Sequence, residues 1–303
     1  MSFMKRILLF LVTNLLVMAM IYLVLSVLMV FFPALRGGYG PLMAMSAVVG
    51  FGGAIISLLL SKFMAKWLQG VKVIDPATAS GESRWLIDTV YRLAKQAGIE
   101  DMPEVGYWET DEINAFCTGP GKDSALVAVS TGILRRMSHD ELEGVLAHEL
   151  SHAANGDMVT MTLVQGVVNT FVFFFSFIIT NILANALQGN RDRRDARPGF
   201  LDFLLRQIIF QLVSALIGLG AYVVIIAPFS RWREFRADAG GAHLAGKNKM
   251  IAALQALQDS FRLPQPAGDP SLSAMKINAP QKASLFSTHP SLEERIEALR
   301  KLG

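Results

Sequence analysis

Four long stretches with almost no charge constrain this chain more than any other feature. They span residues 7–32, 42–61, 158–187 and 203–229, and the only charged residue in them is Arg206, near the start of the fourth. A helix of about 20 apolar residues is long enough to cross a bilayer core. The mean hydropathy is +0.40 and only 17% of residues are charged, against about a quarter in soluble domains. The sequence therefore predicts a mainly α integral membrane protein with four apolar helices.

The first two stretches predict a membrane hairpin. The first follows Lys5 and Arg6, as a signal peptide would, but it is too long for one and no small-residue cleavage site follows it, so we interpret it as an uncleaved anchor. A Gly- and Pro-rich turn at residues 33–41 joins it to the second. We predict four parts: a transmembrane hairpin at 1–61, a cytosolic domain at 62–157, a second hydrophobic hairpin at 158–230, and a helical C-terminal part at 231–303.

Basic residues favour the cytosolic side of a membrane. Two lie before the first stretch, 9 in residues 62–157 and 11 after residue 230, together 22 of the 28 in the chain. Four arginines in the loop 191–197 would lie on the opposite side, unless the third and fourth stretches form a hairpin that does not fully cross. Either arrangement returns the chain to its starting side. We therefore expect a multi-pass protein whose soluble part faces the cytosol.

The remaining sequence predicts an α+β domain. Ser138 with Glu141, and Ser291 with Glu294, have the spacing of capping boxes at helix starts. Apolar periodicity and turn residues predict the other elements. These are helices at 82–97 and 249–257 and short strands at 105–108, 113–117 and 125–130.

The motif His148-Glu149-Leu150-Ser151-His152 carries the predicted chemistry. Two histidines four residues apart lie about 40° apart on one helix face, so both can bind one ion such as zinc. Glu149 stands beside them as a base for an activated water. A catalytic zinc needs a third protein ligand. The strongest candidate is Glu234, which follows the fourth apolar stretch, although a surface ion pair with a neighbouring arginine would also explain it.

Other residues near these motifs have open interpretations. Asp238, one turn after Glu234, has the position to accept the second N–H of a ligand imidazole. Of the other histidines, we expect His139 to be solvated and His243 to pack between helices. The only cysteine, Cys117, is interpreted as a small strand residue, and it excludes an internal disulfide.

With Asn114-Ala115-Phe116 and Thr288-His289-Pro290, these motifs resemble the HtpX family of bacterial membrane zinc proteases over nearly the whole chain. More distantly, they are similar to the CAAX prenyl endopeptidases. The resemblance implies a zincin-like protease domain with one Zn²⁺ per chain. Its implied site residues are the ligands His148, His152 and Glu234, the general base Glu149, the supporting residue Asp238, the cleft residues Asn114, Ala115 and Phe116, and the oxyanion-stabilising residue His289.

The resemblance further implies an enzyme of the bacterial cytoplasmic (inner) membrane that cleaves misfolded or damaged membrane proteins from the cytosolic side, and that cleaves itself. Its partners would be unfolded polypeptides and the lipid bilayer. The net charge of +3 gives no reason to expect nucleic acid. We expect substrate to add as a strand beside residues 125–130. Two alternatives stay open: a membrane scaffold or chaperone with a structural metal, and a protease specific for lipid-modified peptides.

Overall fold

The computed structural model describes residues 39–188, 199–260 and 289–302. Helices dominate these ranges, and four short strands form one sheet. The helices are α1 Gly40–Gln69, α2 Gly81–Gln96, α3 Thr131–Arg136, α4 His139–Ala154, α5 Asp157–Gln188, α6 Phe200–Ala221, α7 Ala227–Ala245, α8 Lys247–Ser260 and α9 Leu292–Lys301. The strands are β1 Lys72–Val73, β2 Glu104–Trp108, β3 Ala115–Thr118 and β4 Leu126–Ser130. A 3₁₀ turn at Lys122–Ser124 and a π-helical turn at Tyr222–Ile226 complete the elements.

The three described apolar stretches are helical, as predicted. In this part of the chain three helices, Gly40–Gln69, Asp157–Leu187 and Phe200–Ala245, are long and apolar enough to cross a membrane. The first predicted stretch, 7–32, and the arginine-rich loop 191–197 lie outside the described residues. The fourth stretch does not end at residue 229 as predicted. The helix instead continues through the π-helical turn that precedes Pro228 and extends to Ala245, so it carries Glu234.

Contacts divide the chain into two compact units. The described residues of the first are 39–55, 163–188 and 199–221. In it Gly50 allows close helix packing, because a Cβ there would lie 2.4 Å from Thr170 Oγ1. Arg206 donates hydrogen bonds of 3.2 Å to Asp202 and, across the helix pair, to Asn181 and Asn185. The four-part division predicted from the sequence stays a prediction.

The second unit contains the sheet and the motif helices, at residues 56–162, 222–260 and 289–302. Its sheet has the order β1-β2-β4-β3. β2 and β4 are parallel, whereas β1 and β3 pair antiparallel to their neighbours. The three predicted strands are confirmed within two residues at each end. β1 was not predicted, because two exposed residues carry no alternating pattern.

Two apolar clusters cover the two faces of this sheet. The larger one joins one sheet face to helices α2, α4, α8 and α9, with Leu93, Leu146 and Leu254 almost fully buried. The smaller one packs Trp108 and Phe116, on the opposite face, against Ala65 of α1. The helix α4, which carries the histidine motif, therefore lies on the face covered by the larger cluster.

Candidate metal centre

The helix α4 holds both motif histidines on one buried face. Its start is fixed by the predicted capping box: the hydroxyl of Ser138 accepts a hydrogen bond from the N–H of Glu141, whose carboxylate accepts one from the N–H of Ser138 at 2.7 Å. The rings of His148 and His152 are 4.7 Å apart between centroids. His148 is 4% exposed and Glu149 is 7% exposed.

Two glycines let α7 approach α4 closely. A Cβ at Gly241 would lie 3.1 Å from the backbone nitrogen of His148 and 2.9 Å from the sulfur of Met250. At Gly240, a Cβ would lie 2.7 Å from the hydroxyl oxygen of Ser151. Side chains at these positions would push the helices apart. The close packing brings Glu234, about two turns earlier on α7, against the motif helix.

The structure brings the three predicted ligands together. Oε2 of Glu234 lies 3.5 Å from Nε2 of His148, and Oε1 lies 3.3 Å from Nε2 of His152. The three potential ligand atoms all lie within 4.8 Å of one another. Oε2 is buried, and Nδ1 of His289 lies 2.9 Å and Nη1 of Arg295 lies 3.4 Å from it. A buried carboxylate that faces imidazole and guanidinium nitrogens is suited to binding a cation.

Asp238 contacts His148 as the sequence predicted. Its Oδ1 lies 2.9 Å from Nδ1 of that ring, so Nε2 is left to face Glu234. Both oxygens of Asp238 also accept hydrogen bonds from Arg295, at 2.6 and 2.7 Å. Arg295 is 1% exposed and comes from the last helix, α9.

Sequence reasoning missed Arg295, although a signal for it exists. Leu292, Arg295, Ile296 and Leu299 have the spacing of one helix face, and all four are buried. An arginine within an apolar stripe is unusual, because burying a charge requires a partner. That pattern could have indicated that Arg295 forms a buried ion pair, but not which acidic residue is its partner.

Asp157 is the second residue that sequence reasoning missed. Its Oδ2 lies 2.6 Å from Nδ1 of His152, and the residue is 2% exposed. Each motif histidine thus has a carboxylate at Nδ1 and presents Nε2 to Glu234. Such carboxylate–histidine pairs orient imidazoles for metal binding.

Buried carboxylates contact both histidines, and the guanidinium of Arg295 also lies 3.3 Å from Nδ1 of His148. Burial alone would lower the pKa of His152, but hydrogen bonds to Asp157 and Glu234 raise it to about 10. For His148, hydrogen bonds to Asp238 and Glu234 likewise overcome burial and raise the pKa. The rings therefore bind protons tightly in the absence of an ion, and a metal cation would have to displace those protons.

Glu149 points towards strand β3. Its Oε2 accepts a hydrogen bond from the N–H of Cys117 at 2.9 Å. Burial raises the pKa of its carboxyl, although positive charge on His148 and His152 acts against this. A carboxylate with a raised pKa next to a metal site is suited to taking up a proton.

The predicted cleft residues lie at the start of β3, with different orientations. The N–H of Asn114 donates to the hydroxyl of Ser130 at 3.1 Å, and Ala115 belongs to the larger cluster, on the face of α4. Phe116 packs against Trp108 on the opposite face, with ring centroids 5.2 Å apart. Its side chain is therefore directed away from the histidine motif.

The other histidines are placed by the structure as follows. Nδ1 of His289 lies 2.9 Å from Oε2 of Glu234, so this residue does reach the site. His139 is exposed, as expected, and its ring stacks on that of Trp85 with the ring centroids 3.9 Å apart. The expectation that His243 packs between helices is wrong. It is exposed, because it lies on the outer side of α7.

Comparisons with known proteins agree with this geometry. A family model described as Peptidase family M48 matches residues 80–303. Protease HtpX of Tolumonas auensis is 49% identical over 99% of this chain and 100% of its own length. Protease HtpX of Shewanella oneidensis is 50% identical over 98% and 99%. The crystal structure of S. mikatae Ste24p has a TM-score of 0.60 at 20% identity and covers 98% of this chain and 65% of that chain, which shows similarity of fold alone.

The family match, the apolar helices and the candidate metal site together define a membrane metalloprotease, an enzyme that acts on polypeptides. The chain belongs to peptidase family M48. The resemblance to the HtpX family, stated from the motifs, is confirmed. The predicted fold class, an α-helical membrane protein with a protease domain and a small sheet, is confirmed too, with three of its four apolar helices among the described residues.

Proposed function

We propose that the chain is a zinc endopeptidase of the bacterial cytoplasmic membrane that cleaves misfolded or damaged membrane proteins on the cytosolic side. The observation that carries the proposal is the convergence of His148, His152 and Glu234 beside Glu149. A structural metal site usually has four protein ligands, whereas a catalytic one keeps a position open. Three ligands and an adjacent carboxylate favour catalysis over a scaffold or chaperone.

Zinc fits the donor set. Imidazole and carboxylate ligands suit zinc, and bonds of about 2.0–2.1 Å in a tetrahedron place ligand atoms about 3.3–3.4 Å apart. The two ligand separations measured to Glu234 are 3.3 and 3.5 Å. When bound there by His148, His152 and Glu234, zinc would lower the pKa of water and polarise the scissile carbonyl.

Glu149 would move the proton. It accepts one from the attacking water and later delivers it to the amide nitrogen of the leaving group. The hydrogen bond from the N–H of Cys117 fixes its carboxylate near the edge of β3. His289, beside Glu234, would donate a hydrogen bond to the developing oxyanion.

The expectation that substrate adds beside residues 125–130 is wrong, because β4 pairs with β2 on one side and with β3 on the other. We propose that substrate adds beside β3 instead. β3 has no strand on its outer side among the described residues. Since the N–H of Cys117 points outward to Glu149, the alternation of an antiparallel strand directs the polar groups of Ala115 outward too. An extended peptide could pair there with little sequence preference.

The sidedness and the substrates are proposed from the sequence. The distribution of 22 basic residues favours a cytosolic site, and an enzyme held in the membrane meets membrane proteins and other copies of itself, which fits self-cleavage. A protease for lipid-modified peptides is a weaker alternative, because four apolar stretches are few for an enclosing chamber. Faster cleavage of a prenylated peptide than of casein would favour that alternative.

The test is the Glu149→Gln variant of the purified full-length protein. We expect it to bind one zinc per chain and to lose casein cleavage. Glu143→Gln is the matched control, since Glu143 lies on the same helix and pairs with Arg92 and Lys249 away from the ligands. Undiminished proteolysis by Glu149→Gln, or a wild type without zinc, would refute the proposed function.

A further inference from the structure

A tight turn links the motif helix to an apolar helix. α4 ends at Ala154, and Gly156 adopts a left-handed φ of +67°, which favours glycine. The turn places Asp157 at the first position of α5 and directs its carboxylate back towards His152. The separation of 2.6 Å from Oδ2 to Nδ1 is that of a strong, charge-assisted hydrogen bond.

The same residue also contacts the helix of the third ligand. The backbone carbonyl of Asp157 accepts a hydrogen bond of 3.2 Å from Nη1 of Arg233, the residue before Glu234. Asp157 therefore contacts both helices that supply ligands. Its side chain contacts His152 on α4, and its backbone carbonyl contacts Arg233 on α7.

We propose that Asp157 is a positioning residue for the metal centre, which fixes His152 through its carboxylate and Glu234 through Arg233. The carboxylate keeps the imidazole proton on Nδ1, so that Nε2 is free to bind the ion. The carbonyl of Asp157, through its hydrogen bond with Arg233, fixes the distance between Gly156 and the part of α7 that carries Glu234. This inference rests on the proposed zinc-dependent function.

A merely structural role would have a different signature. An acidic residue in the first turn of a helix stabilises that helix through its dipole by only a small amount, so the loss of that charge in an asparagine variant costs the fold little. An amide can, however, donate to Nδ1 and place the ring proton on Nε2, where it blocks a metal. The Asp157→Asn variant should therefore keep its fold while losing metal affinity.

The experiment measures zinc dissociation constants of the full-length protein in detergent by competition with a chromogenic chelator. We expect Asp157→Asn to bind zinc about 10–100-fold more weakly than the wild type. The cobalt-substituted variant should also show a changed visible absorption spectrum. Arg233→Gln should weaken zinc binding by a smaller factor. Asp140→Asn, the same change on an exposed residue of α4 that pairs with Lys249, should leave both readouts unchanged.

The outcomes separate this inference from the proposed function. Equal zinc affinity in Asp157→Asn and the wild type overturns the positioning role, even if the melting temperature falls. Unchanged affinity in Arg233→Gln overturns the part of the proposal that involves the carbonyl, and this measurement stands if the Asp157 variant does not fold. A wild type that binds no zinc refutes the proposed function itself.

Discussion

Removing the buried guanidinium of Arg295 should destabilise the protease unit strongly. Arg295→Met keeps a long apolar side chain in the 1% exposed position but leaves Asp238 without its two shortest hydrogen bonds, of 2.6 and 2.7 Å. The carboxylate would retain only Nδ1 of His148, at 2.9 Å. Breaking a buried ion pair by removing one partner costs about 3–5 kcal/mol, because the remaining charge is desolvated and uncompensated.

The expected shift in melting temperature follows from the size of the unit. About 1 kcal/mol corresponds to roughly 2–4 °C in a domain of 150–250 residues, so Arg295→Met should melt roughly 6–20 °C lower. The assay is thermal unfolding of the full-length protein in detergent at one scan rate, with a chelator present so that metal binding does not contribute. Arg300→Met is the matched control, an exposed arginine on the same helix.

A double variant tests the physical reason. Arg295→Met combined with Asp238→Asn removes the carboxylate that loses its two shortest hydrogen bonds, and Glu234, the other carboxylate that pairs with Arg295, keeps its histidine contacts, so the double variant should be more stable than Arg295→Met alone. Equal melting temperatures for Arg295→Met and Arg300→Met would refute the reasoning. So would a double variant whose loss is the sum of the two single losses, since residues that form one ion pair are not additive.

Two further predictions concern the ligand site and its packing. Zinc affinity should fall as the pH falls, because hydrogen bonds to Asp157 and Glu234 raise the pKa of His152 to about 10 and its proton must leave before the ring can bind an ion. Calorimetry in two buffers of different ionisation enthalpy should detect proton release at pH 7, and its absence would contradict the ligand assignment. Gly241→Ala should lower the melting temperature by a destabilisation of about 1–3 kcal/mol, because its Cβ would lie 2.9 Å from the sulfur of Met250. Gly218→Ala, whose Cβ meets open space, should not destabilise.

The local features of the fold were predictable from the sequence. The two capping boxes are present at Ser138 and Ser291, because side chains three residues apart satisfy the first backbone groups of their own helices. The motif histidines share a face because the helix pitch places residues four apart together. These features depend on a few neighbouring residues and on backbone geometry that is the same in every protein.

The candidate site was only partly predictable. Glu234 was predicted as the third ligand because the chain returns after the apolar stretches, and the structure places its Oε1 3.3 Å from Nε2 of His152. Asp157 and Arg295 were missed. Their short side-chain contacts depend on a left-handed turn at Gly156 and on the docking of the last helix. Neither contact produces a periodic sequence pattern from which the partner residue could be identified.

The sequence by itself determined that the chain has apolar helices long enough to cross a membrane and that one helix carries two imidazoles and a carboxylate at the spacing of a metal site. Hydrophobic length and helical spacing settle both, since each is a local property of the chain. Only the tertiary structure decided that β3 is an edge strand of the described sheet whereas β4 is not, and that Phe116 faces away from the motif helix. Strand order and the side of packing result from the burial of many distant residues together, so no short segment of sequence specifies them.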